Sequence, residues 1–400
     1  MNDTHLIMVT GDNNNKFYDM HDNTNGTFTV TYGRVGVTST TKEYPIKQWN
    51  SIYKEKTKKG YVDHSGLFIT KNHSGFTQIT NKDVNSFVEA LQKFANTSIS
   101  ANYTVDANAV TQAQVDKAQQ LLDNLVTLSG KQQLIVKDAN DALLELYAVI
   151  PRRMAHVQDH LIDKPKTKSL EVDDRKNFKE MITSEQQTLD VMSGQVVSLT
   201  AVSIAPQTIL DTIGLTVELV NDTAADFKMV QKLMDSDKNK LMVIYKITHK
   251  RTYDKFTAVS THNDKLLWHG SRNENWWSIL GSGLLIRPTN AVINGKMFGY
   301  GIYGADKFAK SYGYTSGYGS RWASGTQNVC LLGLFNFNLG NQLILDNKSS
   351  WNKDFELRNL RKSGYDSVYA KPGYGLYNSE FIVYEEERVT IGYLVKVKAQ

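Results

Sequence analysis

Cysteine is almost missing from this sequence of 400 residues, in which Cys330 stands alone. A disulfide within the chain is therefore impossible, and a zinc site built from several cysteines is excluded. The nine histidines lack the spacing of metal ligands. The pair His156 and His160, which follows Pro151 in a polar region, is only a weak metal candidate. These shortages favour a reducing, intracellular environment and predict a protein that needs no metal.

Long apolar runs are absent as well. No stretch is long enough to cross a bilayer, and the first residues lack the basic-then-apolar order of a secretory signal, so we expect no membrane partner. A composition of 40% hydrophobic and 22% charged residues is typical of a soluble globular protein. The length predicts two or three domains. The net charge of +5 permits an anionic partner without requiring one.

The first region, residues 1–80, is predicted to be a small β-rich domain. In GTFTVTYGRVG, apolar residues alternate with threonines, and Asn25-Gly26 supplies a tight turn, which together indicate a β-hairpin. The next stretch, KQWNSIYKEKTKKGY, places Trp49, Ile52 and Tyr53 at the spacing of a helix's buried stripe. Six lysines face only two glutamates between residues 42 and 59, so this helix is basic.

The second region, residues 81–197, is predicted to be entirely helical. Thr111 and Gln114 form a candidate capping box, and an apolar stripe at helical spacing follows it. A second helix is expected to end before Pro151, which cannot continue it. A third helix is expected to end at Gly194. Strand patterns are nearly absent, so we expect a small helical bundle or layer.

The third region, residues 198–400, is rich in strand-like runs such as LMVIYKI, NVCLLGLFNFNLG and IGYLVKVKA. These runs predict a mixed, mostly antiparallel sheet with a cleft. The whole chain is therefore predicted to be an α+β multidomain protein.

One motif in the third region is misleading. The run from Gly299 to Gly304 spells GxGxxG, which can mark a dinucleotide-binding crossover. However, the preceding NAVINGKM is a loop rather than a buried strand, and no acidic residue between Asp306 and Asp346 could bind ribose hydroxyls. We therefore reject a Rossmann unit. A kinase-type glycine loop is rejected too, because no HRD or DFG sequence follows.

Three other blocks stand in a definite order: WHGSR with His269, FGYGIYGADKFAKSYGY with Tyr303, and NSEFIVY with Glu380. Taken singly, each residue is compatible with a structural role, as a hydrogen-bonded strand end, a packed loop tyrosine or an edge-strand charge. Together and in this order, they resemble the signature of the poly(ADP-ribose) polymerases. These are diphtheria-toxin-like ADP-ribosyltransferases in which a His-Tyr-Glu set binds NAD+.

The resemblance extends over the whole chain and implies three domains, as in the compact DNA-dependent members of the family. Residues 1–80 would form a WGR-like DNA-binding domain and residues 81–197 a regulatory helical domain that gates the NAD+ cleft. Residues 198–400 would form the ADP-ribosyltransferase domain, built on a mostly antiparallel sheet.

The resemblance also implies which residues bind NAD+ as substrate, with Glu380, His269 and Tyr303 as catalytic residues. The NAD+ contacts carried over from the family are His269, Gly270, Ser271, Arg287, Tyr303, Lys310, Ser311, Tyr314 and Asp190. Cleavage of the bond between nicotinamide and ribose builds positive charge on the sugar, so a carboxylate such as Glu380 would stabilise it. Aromatic faces suit a flat pyridinium, and a glycine lets the carboxamide approach the backbone.

Two departures from the family pattern stand out. The family often has arginine in GLRI, whereas this chain has GLLIR, so either Arg287 supplies that contact or the contact is absent. The WGR triplet is replaced by Tyr32-Gly33-Arg34, which keeps an aromatic face but loses the indole N–H. The candidate DNA contacts are Tyr32, Arg34, Lys54, Lys56, Lys58 and Lys59. The alternative for the lysines is a solvated surface helix.

We therefore expect a DNA-break-stimulated, NAD+-dependent protein ADP-ribosyltransferase that forms poly(ADP-ribose) on itself and other proteins and releases nicotinamide. The expected partners are DNA strand breaks and acceptor proteins, including the chain itself. The alternatives are a mono-ADP-ribosyltransferase of the same fold, a catalytically inert DNA-end-binding scaffold, and an NAD+ hydrolase. The expected location is intracellular, and nuclear if the host is eukaryotic.

Overall fold

The computed structural model of the chain describes residues 3–37, 39–67, 76–131, 134–162, 172–200, 207–260, 262–286, 298–299, 301–317, 327–346, 357–373 and 376–399. The chain divides into two compact units. The first comprises the described residues up to Ser74 and those from Asn96 to Leu199. The second comprises the described residues of the range 75–95 and those from Thr200 onward.

The first unit begins with a five-stranded antiparallel sheet and one helix. Its elements are β1 (Thr4–Thr10), β2 (Asn14–Asp22), β3 (Thr27–Arg34), β4 (Ser39–Pro45), α1 (Trp49–Lys58) and β5 (Val62–Asp63). The strand order is β4-β3-β2-β1-β5. Trp49 of α1 is buried against Phe28 of the sheet, and Ile52 and Tyr53 pack beside it. The hairpin and the helical stripe predicted for this region are both confirmed.

Four helices follow: α2 (Lys82–Asn102), α3 (Gln112–Gly130), α4 (Val136–Val149) and α5 (Val172–Thr200). The capping box predicted at α3 is confirmed, since the Thr111 hydroxyl accepts from the Gln114 N–H and the Gln114 side chain accepts from the Thr111 N–H. The apolar stripe of α3 is buried, and α4 ends just before Pro151, as expected. The described residues of α2 up to Ala95 belong to the second unit.

The predicted helix end at Gly194 is wrong. The helix α5 continues through Gly194 to Thr200. A glycine inside a helix costs about 1 kcal/mol relative to alanine. Leu189, Met192 and Val196 are buried on either side of Gly194, and their packing outweighs that local cost.

The second unit carries most of the strands. Its elements are α6 (Ile209–Thr212), β6 (Leu215–Leu219), α7 (Ala225–Met234), β7 (Leu241–His249), α8 (Lys250–Val259), β8 (Asp264–Gly270), α9 (Trp276–Ser282), β9 (Ile302–Gly304), α10 (Phe308–Tyr312), β10 (Val329–Asn338), β11 (Gln342–Leu345), α11 (Leu357–Lys362), β12 (Ser367–Ala370), β13 (Glu380–Val383) and β14 (Val389–Lys398). The strand-like runs of the sequence account for the long strands β7, β10 and β14.

Two sheets form the frame of this unit. The five-stranded sheet, β6-β7-β14-β10-β8, is antiparallel throughout. The four-stranded sheet, β11-β12-β13-β9, is antiparallel except for the parallel pair β11 and β12. The strand β9, which contains the end of the GxGxxG run, pairs antiparallel with β13 rather than entering a parallel crossover. The α+β class and the mostly antiparallel sheet are confirmed.

Each sheet of the second unit contributes to a buried apolar cluster. One buried cluster includes Ile244, Trp268, Leu332 and Val395 on the five-stranded sheet. Trp276 and Trp277 of α9 are also buried. Among the described residues, no helix is both long and apolar enough to span a bilayer.

Candidate active site

His269 stands near the end of β8, directly after the buried residues Leu267 and Trp268. Its Nδ1 lies 3.0 Å from the backbone oxygen of Tyr303. A carbonyl oxygen can only accept, so Nδ1 carries the proton of this bond. In the neutral imidazole, Nε2 is then the acceptor nitrogen, which suits a hydroxyl donor. Phe335 holds the ring edge-on, with the ring centroids 5.9 Å apart.

Gly270 occupies a position where no other residue fits. A Cβ placed on Gly270 would lie 1.8 Å from the backbone oxygen of Ser311. The backbone of α10 at Ser311 therefore packs directly against the backbone of β8 at Gly270, with no side chain between them. Ser311 is buried, and its hydroxyl donates to the backbone oxygen of Trp268 at 3.0 Å. Two of the predicted NAD+ contacts, Gly270 and Ser311, are thus brought together by the structure.

Hydrogen bonds hold both the backbone and the side-chain hydroxyl of Tyr303. Its hydroxyl donates to the Gly299 oxygen at 2.8 Å and accepts from the Phe298 N–H at 3.1 Å. The Tyr384 hydroxyl donates to the Phe298 oxygen at 2.7 Å and holds the same turn. Burial raises the pKa of the Tyr303 hydroxyl well above its usual range, and the charge of Glu380 adds to the shift.

Glu380 is the first residue of β13, beside both β9 and β12. Its Oε1 lies 2.6 Å from the Nζ of Lys310 on α10, and both side chains are largely shielded from solvent. Tyr314 follows α10 and remains 46% exposed. Burial raises the pKa of the Tyr314 hydroxyl, and the Glu380 charge raises it further, so this carboxylate acts on both tyrosines.

The remaining predicted NAD+ contacts are less closely tied to this cluster. The Ser271 hydroxyl accepts from the Asn275 side chain at 3.0 Å. Arg287 lies outside the described residues. Asp190 lies on α5 in the first unit, where it accepts from the Gln186 side chain at 2.9 Å, and its assignment to the NAD+ site stays a prediction.

Sequence reasoning missed the contacts that support this cluster. The Ser379 hydroxyl donates to Asp306 at 2.7 Å, and Tyr384 anchors the Phe298 turn. Each of these residues lies inside or beside a recognised block, but only the pairing of β9 with β13 brings them into contact. The sequence contains no signal for that register.

The candidate DNA contacts fall into two groups. On α1 and just after it, Lys54, Lys58 and Lys59 are exposed, although Lys59 pairs with Glu55 at 2.6 Å. Lys56 and Tyr32 are half-buried. The Lys56 ammonium lies 4.2 Å from the centroid of the Tyr18 ring, which belongs to β2 of the sheet. The Tyr32 ring stacks on Tyr18 with a centroid separation of 5.6 Å. Burial is the main cause that raises the pKa of Tyr18 to about 12.

Arg34 makes several bonds within the first unit. Its Nη1 donates to the Asn13 oxygen at 2.8 Å, and its Nη2 donates to Asn13 Oδ1 at 2.9 Å and to the Ala155 oxygen at 2.6 Å. Asn13 Oδ1 also accepts from the Val157 N–H, and Asn13 Nδ2 lies 3.1 Å from His156 Nδ1. We call this group, Asn13, Arg34, Ala155, His156 and Val157, the Asn13 junction. It joins the turn between β1 and β2 to the segment after α4, and the assignment of Arg34 to DNA stays a prediction.

Comparison with known proteins agrees with this geometry. Residues 224–399 match the poly(ADP-ribose) polymerase catalytic domain, and residues 3–67 match the WGR domain. A putative poly [ADP-ribose] polymerase-like protein, 100L of Invertebrate iridescent virus 6, is 30% identical over 184 residues, which are 45% of this chain and 96% of that protein. Protein 101L of the same virus, which is uncharacterized, is 34% identical over 48% of this chain and 76% of its own length.

A cellular relative covers more of the chain. Poly [ADP-ribose] polymerase 1 of Caenorhabditis elegans is 25% identical over an alignment of 423 positions, gaps included, which covers 88% of this chain and 43% of that longer protein. The matched catalytic domain contains the His269, Tyr303 and Glu380 cluster, and the matched WGR domain contains Tyr32 and Arg34. This chain therefore belongs to the poly(ADP-ribose) polymerase family, and its catalytic domain is that of an NAD+ ADP-ribosyltransferase.

Proposed function

We propose that this chain transfers ADP-ribose from NAD+ to proteins, including itself, builds poly(ADP-ribose), and is stimulated by DNA strand breaks. The observation that carries the proposal is the meeting of three distant blocks around β9. The backbone oxygen of Tyr303 on β9 accepts a hydrogen bond from His269, and β9 pairs with β13, which begins at Glu380. This arrangement supports the proposal that His269 binds the sugar, Tyr303 faces the pyridinium and Glu380 stabilises the developing cation of one dinucleotide.

In the proposed reaction, the bond between the ribose C1′ and the nicotinamide nitrogen breaks, and its electron pair leaves with nicotinamide. An acceptor oxygen forms the new bond to C1′, and its proton passes to the Glu380 carboxylate. His269 accepts from a ribose hydroxyl of the adenosine half. Gly270 and Ser311 hold the carboxamide, and the rings of Tyr303 and Tyr314 face the pyridinium.

Chain elongation is proposed because Glu380 and Lys310 both stand at positions found in polymer-forming members, and they form a close pair here. Incubation with labelled NAD+, followed by a denaturing gel, tests this. A ladder of products supports a polymer, a single small shift supports mono-ADP-ribosylation, and free ADP-ribose without labelled protein supports hydrolysis. The Glu380→Gln variant should lose nicotinamide release, because the stabilising negative charge is gone. Retention of wild-type release by this variant would contradict the role of the carboxylate.

DNA binding is proposed to involve the exposed lysines of α1. The Lys54→Gln/Lys58→Gln variant should bind nicked duplex more weakly, and the slope of log affinity against log salt should fall by about one for each lost phosphate contact. Lys117→Gln/Lys137→Gln removes the same charge from exposed positions on the helices of the first unit and is the matched control. Equal salt slopes for the two variants would contradict the assignment.

Stimulation by DNA is proposed to act through the helices α3 to α5, which would open or partly unfold when DNA binds. Hydrogen exchange of the full chain, with and without nicked duplex, should show faster exchange in these helices only when DNA is present. Unchanged exchange together with DNA-stimulated nicotinamide release would contradict this route. Because both NAD+ and DNA are intracellular, we also propose an intracellular location, nuclear in a eukaryotic host, which a fluorescent fusion would test.

A further inference from the structure

The strand β9 changes partner next to the proposed site. Gly304 pairs with Phe381 of β13, but Ala305 turns away and pairs with Trp268 of β8 through two backbone hydrogen bonds of 2.8 and 2.9 Å. Within one residue, the chain passes from the strand that carries Glu380 to the strand that carries His269. The position of β13 relative to β8 therefore depends on the contacts made where β9 changes partner, at Gly304 and Ala305.

A side-chain hydrogen bond links the two chain segments just beyond the point where the backbone pairing of β9 with β13 stops. If the register of β9 and β13 is extended by two residues, Asp306 falls opposite Ser379. The Ser379 hydroxyl donates to Asp306 Oδ1 at 2.7 Å, and Ser379 is buried. A hydrogen bond to a charged group is among the stronger ones in proteins. This bond ties the residue before Glu380 to the residue after Ala305.

The same backbone segment also contacts the cation that faces Glu380. The Lys310 ammonium lies 2.6 Å from Glu380 Oε1 and 3.4 Å from each of the backbone oxygens of Asn378 and Ser379. A shift of Ser379 would therefore move the carboxylate and remove two of the acceptors that orient the lysine.

We propose that Asp306 and Ser379 are positioning residues that hold the Glu380 and Lys310 pair in place against the His269 strand. The inference rests on the proposed role of Glu380 in the transfer step. Neither residue is assigned to NAD+, and the nicotinamide grip at Gly270 and Ser311 lies on other elements. Loss of the bond should therefore slow the chemical step and leave substrate affinity nearly unchanged.

The experiment measures nicotinamide release by the full chain with nicked duplex present. Ser379→Ala should lower kcat about tenfold, with the KM for NAD+ within about twofold of wild type. The matched control is Ser367→Ala, which removes another buried serine hydroxyl whose bond, to the Leu339 oxygen, lies at the far end of β13 opposite Val383. The control should lose comparable thermal stability but keep kcat within about twofold.

A double-mutant cycle separates positioning from general damage. Asp306→Ala should lower kcat as much as Ser379→Ala, and the double variant should be no slower than either single variant, because one bond is lost in all three. Asp306→Asn keeps an acceptor oxygen for Ser379 and should recover most of the activity. Benzamide, a mimic of the leaving group, should bind Ser379→Ala and wild type equally in calorimetry.

Several results would overturn the proposal. These are a kcat for Ser379→Ala no lower than that of Ser367→Ala, a KM that rises as kcat falls, or losses that multiply in the double variant. If Ser379→Ala fails to fold, equal activity of Asp306→Ala and Asp306→Asn overturns it instead. Absence of nicotinamide release from the wild-type chain is a different result and would contradict the proposed function itself.

Discussion

Replacement of Gly270 by alanine should disable the site while leaving most of the fold intact. The added Cβ would lie 1.8 Å from the Ser311 oxygen and 2.8 Å from the Ser311 carbonyl carbon. Real Cβ atoms essentially never approach another atom closer than 3.0 Å, so β8 and α10 must separate by about 1.2 Å. The obstacle is backbone, which cannot rotate aside as a flexible side chain would.

The size of the effect follows from what α10 carries. Lys310 and Ser311 would move with the helix, which disturbs the ion pair of Lys310 with Glu380 and the proposed contact of Ser311 with the substrate carboxamide. A displacement of about 1 Å in a catalytic group can lower a rate by about 100-fold, which corresponds to about 2.7 kcal/mol in the activation barrier. We expect at least this loss in kcat/KM, together with a stability cost of about 1–3 kcal/mol from overpacking.

Nicotinamide release at several NAD+ concentrations measures the loss, and a thermal denaturation scan shows whether the unit still folds. Gly281→Ala is the control, because its added Cβ meets only the Ile213 side chain, at 4.0 Å, within the helix α9. The control should keep wild-type activity and gain up to about 1 kcal/mol from the better helix former. Activity of Gly270→Ala within threefold of wild type would refute the argument from close approach.

Two further predictions concern stability. Glu185→Gln leaves the buried charge of Arg152 unpaired, so the free energy of unfolding measured by urea denaturation should fall by about 3–5 kcal/mol. The control Glu145→Gln breaks the exposed ion pair with Lys117 and should cost under about 1 kcal/mol. Equal losses in the two variants would contradict the argument from burial. Burial lowers the pKa of His249, so below its unfolded value of 6.5 the unfolded chain binds the proton first and stability is lost as pH falls. His249→Asn keeps a hydrogen-bond acceptor for the Thr252 N–H at the start of α8. Between about pH 7.5 and about pH 5, the melting temperature of this variant should fall less than that of the wild type. An equal fall in both proteins would show that another group is responsible.

Local patterns predicted local structure well. Trp49, Ile52 and Tyr53 share one face of α1 because side chains three and four residues apart in a helix point the same way. The capping box at Thr111 was predictable for a similar reason, since both of its bonds lie within three residues. The order of the His269, Tyr303 and Glu380 blocks was enough to indicate the reaction.

Features that depend on distant pairing were not predictable. The Arg34 guanidinium binds the Ala155 oxygen, 121 residues away, and nothing near either residue indicates the other. The Asp306 and Ser379 bond needs the register of β9 against β13, which the sequence does not encode locally. The error at Gly194 has the opposite cause, since a reliable local signal was overridden by packing along α5.

The Asn13 junction has a consequence for the chemistry of His156. Two N–H donors, from Arg34 and Val157, converge on the amide oxygen of Asn13, and they leave its amide nitrogen facing the imidazole. That amide nitrogen can only donate, so Nδ1 of His156 must hold a lone pair there. A neutral imidazole that accepts at Nδ1 carries its proton on Nε2. One asparagine side chain in the turn between β1 and β2 therefore selects the tautomer of an imidazole that lies 143 residues further along the chain.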